Sequence, residues 1–362
     1  MPFLPAEKEK FPLQKFWFML PISLGMILVF ILGFIDGVKG RFVIEGDRVW
    51  SQSVYGKKEL YFSQIAGYRT DDKYVYILPQ EKGQKRIKIS QYYGGKGEIL
   101  EWLSHRYPDL DEQKAERERQ EILSNNELGL TVEQREEKLQ GFRKRARLLN
   151  GAGAMVTGWI IFFPQPYEAA FWAALSLPPV CILASRFSGG FIRIQEEKGS
   201  AYPSVFWSLF FPSLGIAIRA LSDFSIFAYE DAFKGALVIT AIYLFLLFVR
   251  SKEFLFQSAK EYGIALFFGV LGFSYGYGVV VTLNCLYDKS PATVYASRVT
   301  DKRVSSGKST TYYLTLTPWG PEKDTSDVAV DKELYHRVQN GEDVRILLRR
   351  GRLEIPWFIV TD

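Results

Sequence analysis

The chain of 362 residues holds two histidines, His105 and His336, and two cysteines, Cys181 and Cys285. A structural zinc site needs four Cys, His or carboxylate ligands at short, regular spacing. These four residues stand far apart and none has a carboxylate cluster beside it, so no metal and no cofactor are expected. His105 is expected on the polar side of a helix and His336 on a solvated turn. Gly307-Lys308-Ser309-Thr310 imitates the end of a Walker A motif, but Lys302 stands where the first glycine belongs. Tyrosines and β-branched residues follow where a phosphate loop must start a helix, so the run reads as a hairpin tip. Gly94-Gly95-Lys96-Gly97 would expose amides to an anion at a helix N-terminus, or serve as a plain loop. No Ser-His-Asp or Cys-His set can be assembled around either histidine, so no catalytic residue is expected.

Polar residues inside apolar runs are the next place to look, because coupled transport needs ionisable groups along a pathway. Glu168, Arg186, Arg219 and Asp223 fall near the ends of such runs, where interfacial placement explains them. Asn284 lies deeper and is expected to bond another helix. Gly269, Gly272, Gly276 and Gly278 crowd the last run, with Gly272 and Gly276 at GxxxG spacing, which predicts close helix packing. Pro178-Pro179 and Pro212 interrupt two other runs, a pattern that sometimes frames a substrate site.

The elements that would position these residues follow from where the apolar residues are gathered. Six membrane spans are expected, at 16–35, 151–163, 167–185, 203–221, 233–249 and 263–286. Trp159, Tyr167, Trp172, Tyr202 and Trp207 stand near the ends of the runs, as interfacial anchors do. The first run follows Lys8, Lys10 and Lys15 and is not trailed by a small-x-small cleavage site, so a retained anchor is expected. The net charge of +5 is modest and carries no basic stripe interleaved with aromatics, which excludes nucleic acid as the primary partner.

Basic residues gather on alternate sides of the runs. Arg143, Lys144, Arg145 and Arg147 precede the second, Arg186, Arg193 and Lys198 follow the third, and Arg250, Lys252 and Lys260 follow the fifth. The positive-inside rule places those loops in the cytoplasm and the C-terminal region outside. Lys8, Lys10 and Lys15 fit this scheme badly if the first segment crosses once; one repair is that the segment, bent at Pro21, dips in and returns.

Residues 42–107 alternate with period two between turn signals at Gly46-Asp47, Asp71-Asp72 and Lys82-Gly83, then show a helical apolar face at Ile99, Leu100, Trp102, Leu103 and Tyr107. Through GDRVWSQSVYGKKELYFSQIAGYRT and ILEWLSHRYPDLD this stretch resembles the bacterial PH-type domains of multi-pass membrane proteins. A solvated helix follows, with a capping box at Thr131 and Gln134 and an apolar stripe at Val132, Leu139, Phe142, Ala146 and Leu149. Arg143, Lys144 and Arg147 on its polar face are expected to meet anionic lipid headgroups. The last 72 residues read as strands of a small β-barrel or open β-sheet. They resemble the small extracytoplasmic β-lobes of bacterial membrane proteins.

The expected organisation is therefore an N-terminal segment and first span at 1–40, a PH-like cytoplasmic domain at 41–110, and a charged amphipathic linker at 111–150. A five-span membrane core at 151–286 and an extracytoplasmic β-domain at 287–362 complete it. The resemblance and the absence of chemistry imply a non-enzymatic scaffold of a bacterial inner membrane, in contact with the lipid bilayer and with envelope proteins. The alternative is a transporter or channel subunit built on the proline-broken spans and the glycine-rich last span.

Overall fold

In a computed structural model of the chain, residues 13–362 are described except 55, 82, 250, 252 and 307–309, with side chains described from residue 23. Lys8 and Lys10, the side chains of Lys15 and Pro21, the turn residue Lys82, Arg250 and Lys252 of the fifth loop, and the Gly307-Lys308-Ser309 tip lie outside the described residues. The chain divides into two compact units. One holds residues up to Gln120 together with Lys198–Ala201, and the other holds Glu121–Glu197 and Tyr202–Asp362.

The first unit opens with helix α1 (Leu13–Lys39), which leads into two antiparallel sheets. Strands β1 (Arg41–Glu45), β2 (Arg48–Ser53) and β3 (Gly56–Tyr61) form one sheet. Strands β4 (Ile65–Thr70), β5 (Tyr74–Pro79) and β6 (Ile87–Ser90) form the other. Alternation decides which side chains are buried: Val49, Leu60, Val75, Ile77, Ile87 and Ile89 face a common core that helix α2 (Lys96–Arg106) closes with Leu103. Asp71 makes the β4–β5 turn by accepting the Lys73 and Tyr74 amides at 2.8 and 2.6 Å. Helix α3 (Leu110–Ser124) follows, and its Glu118 carboxylate takes the Ser200 hydroxyl and the Ala201 amide at 2.6 and 2.8 Å.

The second unit is built on helices α4 (Val132–Phe162), α5 (Tyr167–Phe187), α6 (Phe206–Asp223), α7 (Tyr229–Phe248) and α8 (Ala259–Leu286). Thr131 caps α4 by accepting the Gln134 amide at 3.3 Å. Arg135 then ties the preceding turn down, donating to the Leu123, Gly129 and Leu130 carbonyls at 2.6, 2.8 and 3.2 Å. Helix ends meet in two groups. At one end the Tyr167 hydroxyl and Arg219 both hold the Asp223 carboxylate, at 2.9 and 2.8 Å, and Trp172 donates to the Tyr287 hydroxyl at 2.9 Å. At the other end Arg186 donates to the last carbonyls of α7, Leu246 and Leu247, at 2.9 and 3.0 Å.

The expected six-span architecture does not hold. Among the described residues three helices are long and apolar enough to cross a membrane: Tyr167–Phe187, Tyr229–Phe248 and Ala259–Leu286. The run at 151–163 is only the end of α4, whose first half is charged, so that helix is too polar overall. The run at 203–221 forms α6, a helix that ends in the Arg219–Asp223 pair and buries Leu209, Pro212, Ile216 and Ala220 among its neighbours. Its apolar residues serve protein packing, and a run of that kind is not distinguishable from a span by hydropathy alone. The run at 16–35 lies in α1, with its first side chains outside the described set.

The C-terminal strands depart from expectation too. They form one six-stranded sheet, a half-barrel of order β10-β9-β8-β11-β12-β7, and its last strand comes from elsewhere. Strands β8 (Thr293–Ser306), β9 (Thr310–Leu316), β10 (Ser326–Val330), β11 (Asp343–Arg349) and β12 (Trp357–Thr361) are local, whereas β7 (Ser225–Ile226) is the loop between α6 and α7. Ile226 pairs with Trp357 and Ser225 with Phe358. Between β10 and β11 the chain forms helix α9 (Lys332–Arg337), capped by Asp331 and covering the sheet core with Leu334.

Candidate functional site

Where Arg186 closes the ends of α5 and α7, the chain makes a polar cleft. It encloses about 470 Å³ and is lined by residues 185–186, 189–195, 197 and 202, by Ser251 and Glu253, and by Asn125 and Glu127. Its wall is built locally by serines. The Ser185 hydroxyl donates to the Ile192 carbonyl at 2.7 Å, and Ser188 accepts the Ile192 amide at 2.8 Å while donating to the Ser185 carbonyl at 2.6 Å. Gly189 and Gly190, at φ of 70° and 96°, let the chain reverse there.

Glu253 fixes the far wall. Its carboxylate accepts the Ile194 amide at 2.8 Å and the Gln195 amide at 2.7 Å. Burial pushes the Glu253 carboxyl above the ordinary range, against the pull of those two amides and of Arg193 and with help from Glu197. Arg193 lies 3.8 Å over the Tyr202 ring, and Lys260 pairs with Glu197 at 3.4 Å. Within the cleft, and among the described residues, no nucleophile is bonded to a base: the Ser251 hydroxyl accepts the Glu253 amide at 3.2 Å and does not meet its carboxylate. The cleft presents cations and carboxylates together, which suits holding a polar group more than reacting with one.

No protein family, curated protein or solved structure matches the chain. The PH-type resemblance therefore has no matched family behind it.

The residues singled out in the sequence are scattered. Arg143 is half-buried on α4 while Lys144 and Arg147 are exposed, and among the described residues none of the three has a carboxylate partner. The apolar stripe beside them packs on protein: Leu139 and Ala146 are buried, and Phe142 stacks on Phe191 at 5.7 Å. Gly272 and Gly276 lie against α7, and Gly278 lies against the backbone of α6. Pro178-Pro179 and Pro212 sit inside continuous helices. Asn284 bonds a loop rather than another helix: it donates to the Ile355 carbonyl at 2.8 Å and accepts the Leu353 amide at 2.9 Å, both in the loop before β12. His105 lies 4.0 Å from Glu101 on an exposed helix face, and His336 packs against Tyr312 and Tyr335. Among the described residues no three His, Cys, Asp or Glu side chains gather as a metal site would require.

Glu253 escapes sequence reasoning because its partners stand 59 and 58 residues away and no local pattern marks it. Truncation gives a direct check. Glu253→Ala leaves two amides without an acceptor, each costing about 1–3 kcal/mol. Hydrogen exchange at Ile194 and Gln195 is expected to quicken by at least about tenfold, while Glu197→Ala leaves it unchanged. Because the folded carboxyl is raised, its share of stability is fully present below the ordinary carboxylate range and is lost as pH rises through the elevated value. The gap in thermal midpoint between wild type and Glu253→Ala should accordingly narrow as the buffer is taken from acidic to alkaline.

Proposed function

We propose that the chain is a membrane-anchored, non-enzymatic interaction protein of a bacterial cytoplasmic membrane that holds its half-barrel sheet rigidly at one end of its helices and docks another envelope protein there. The carrying observation is the way the sheet is fastened. Asn284 at the end of α8 holds the 352–355 loop, Asp288 takes the Gly351 amide and the Trp357 indole at 3.0 and 2.8 Å, and the loop between α6 and α7 supplies the strand beyond β12. A sheet tied at three points to helix ends transmits position, which a catalytic lobe on a linker does not need to do.

Two further features support the reading. The outward sides of α5, α7 and α8 leave Leu183, Leu237, Phe245, Leu266 and Val270 exposed, apolar cover that a bilayer would provide. On the sheet, Val294, Leu347 and Ile359 stand directly opposite one another on three neighbouring strands, with Val294 56% and Ile359 39% exposed. Such a row is a contact surface of the kind interfaces bury. Arg143, Lys144, Arg145 and Arg147 lie midway along α4, and Arg186 and Arg193 lie at and after the end of α5, charges that by the positive-inside rule would favour the sheet facing outward.

Both halves can be tested in cells. Cys181 and Cys285 are buried, so Ser326→Cys adds the reactive thiol. Labelling of intact cells by an impermeant maleimide is expected, and labelling only after lysis would refute the orientation. A photoreactive residue at Val294 or Ile359 should give a discrete adduct with one protein, and the same residue at Leu255 should not. Movement of solute into liposomes by the purified chain would instead favour a transporter.

A further inference from the structure

The charged half of α4 has a second, unused feature. At about 100° per residue, Lys138, Gly141, Phe142, Arg145, Leu148 and Leu149 share one side of this helix. That side borders two adjoining hollows. One, about 690 Å³, is mixed in character, with Glu127, Glu137, Lys138 and Arg145 lining it beside Phe142 and Phe191. The other, about 350 Å³, is apolar and runs between Leu148 and Leu149 of α4 and Ala184 and Phe187 of α5. Phe142, Arg145, Phe187 and Ser188 line both, so the charged hollow adjoins the apolar one.

From this we infer a binding site for a single anionic phospholipid, its phosphate held by Arg145 with Lys138 behind it and one acyl chain lying in the groove between α4 and α5. Three observations select this occupant. Arg145 and Lys138 have no carboxylate partner among the described residues, although Glu127 and Glu137 line the same hollow. Arg145 stands level with Phe187, the last residue of a helix able to span a membrane, which is the depth of a phosphate and not of an acyl chain. Beside it Phe187 is 88% exposed, and below it the groove continues between Leu148, 63% exposed, and Ala184, apolar surface that would otherwise face solvent. A soluble phosphate would satisfy Arg145 but leave this groove empty.

The assignment differs from the sequence expectation in its residues. Arg143 and Arg147 lie on the opposite side of α4 from the groove, whereas Arg145 stands at its centre. The inference rests on the membrane reading proposed above, so the experiment separates the two. The full chain is first tested by alkaline carbonate extraction of membranes. It is then purified in mild detergent, and adducts with phosphatidylglycerol and phosphatidylcholine are counted by native mass spectrometry.

One retained phosphatidylglycerol per chain is expected, preferred over phosphatidylcholine. Arg145→Gln should weaken it by about tenfold, the worth of one charge-assisted contact. Ala184→Trp, which fills the groove, should abolish it, while Arg143→Gln and added inorganic phosphate leave it intact. Release of the wild-type chain by carbonate overturns both readings. Retention in the membrane with adducts unchanged in Arg145→Gln and Ala184→Trp, or equally lost in Arg143→Gln, overturns this inference alone. Because Arg145 is exposed, its variant keeps the test decisive even if Ala184→Trp fails to fold.

Discussion

Gly276→Leu is expected to lower the thermal midpoint of the purified full chain by at least about 4 °C, from a loss of about 3 kcal/mol or more. A Cβ at this position would stand 2.6 Å from the Ala236 carbonyl oxygen and 3.2 Å from the Ile239 Cβ. The first neighbour is backbone of α7, and that oxygen already accepts the Thr240 hydroxyl at 2.6 Å, so it has no rotamer by which to withdraw. The only relief is to move α7 away from α8. That separation would also undo the contact at Gly235, where a Cβ would already stand 3.0 Å from the Val280 side chain. Gly278→Leu should cost as much, since its Cβ would meet the α6 backbone at Ala217 and Ile216 at 2.7 Å.

The series has an internal scale. Gly272 would meet a Tyr243 ring carbon at 3.0 Å, a side chain that can give, so Gly272→Leu should cost less. A Cβ at Gly269 would meet no neighbouring element within 4 Å, and Gly269→Leu should leave the midpoint where it is. Equal midpoints for Gly269→Leu and Gly276→Leu in thermal melts followed by circular dichroism would remove the packing claim.

Those glycines also show which features are legible in the chain and which are not. GxxxG spacing is local, so Gly272 and Gly276 stand out from their neighbours in the sequence alone. The partner helix is not legible, because which side of α8 meets α7 depends on residues many turns distant. Period-two alternation makes Val49, Leu60, Val75, Ile77, Ile87 and Ile89 visible as one side of the first unit's strands. Strand β7 is invisible for the opposite reason. Two residues, Ser225 and Ile226, carry no period at all, and only Trp357 and Phe358 across the gap give them their conformation.

Hydropathy misleads at α6 for a definable cause. A helix surrounded by α4, α5 and α8 must be apolar on most sides whether the surroundings are protein or lipid, so composition alone does not separate the two. What separates them is Arg219, a charge paired with Asp223 near the end of the helix. Arg145 does not stand out in the linear sequence, where it is one member of a continuous basic run. The helical wheel divides that run between the side that faces a groove and the side that does not.

The largest effect outside the glycines is expected at Asn284. This side chain is fully buried at the end of α8, with its amide donating to the Ile355 carbonyl at 2.8 Å and its oxygen accepting the Leu353 and Ile355 amides at 2.9 and 3.4 Å. An amide is the group that can donate and accept at one position, and the loop needs both. Gly351 completes the fit at φ of 81°, since a Cβ there would collide with the Asn284 side chain. Asn284→Leu is close in volume, so it opens little cavity, but it leaves a carbonyl and two amides buried without partners. At about 1–3 kcal/mol for each unsatisfied group, relieved in part by water reaching the loop, the loss should be on the order of 3–5 kcal/mol. Asn284→Asp should be worse near neutral pH than near pH 4, because the carboxylate keeps the acceptors but turns a negative oxygen on the Ile355 carbonyl, and protonation restores a donor. The readout is hydrogen exchange over 350–357, which should rise by more than a hundredfold in Asn284→Leu while the strands β8 and β9 exchange as before. Protection of 350–357 equal to wild type would mean that β7 and Asp288 hold the sheet without Asn284. A rise spread evenly over the whole sheet would mean that the loop is not a separate fastening but part of one cooperative fold.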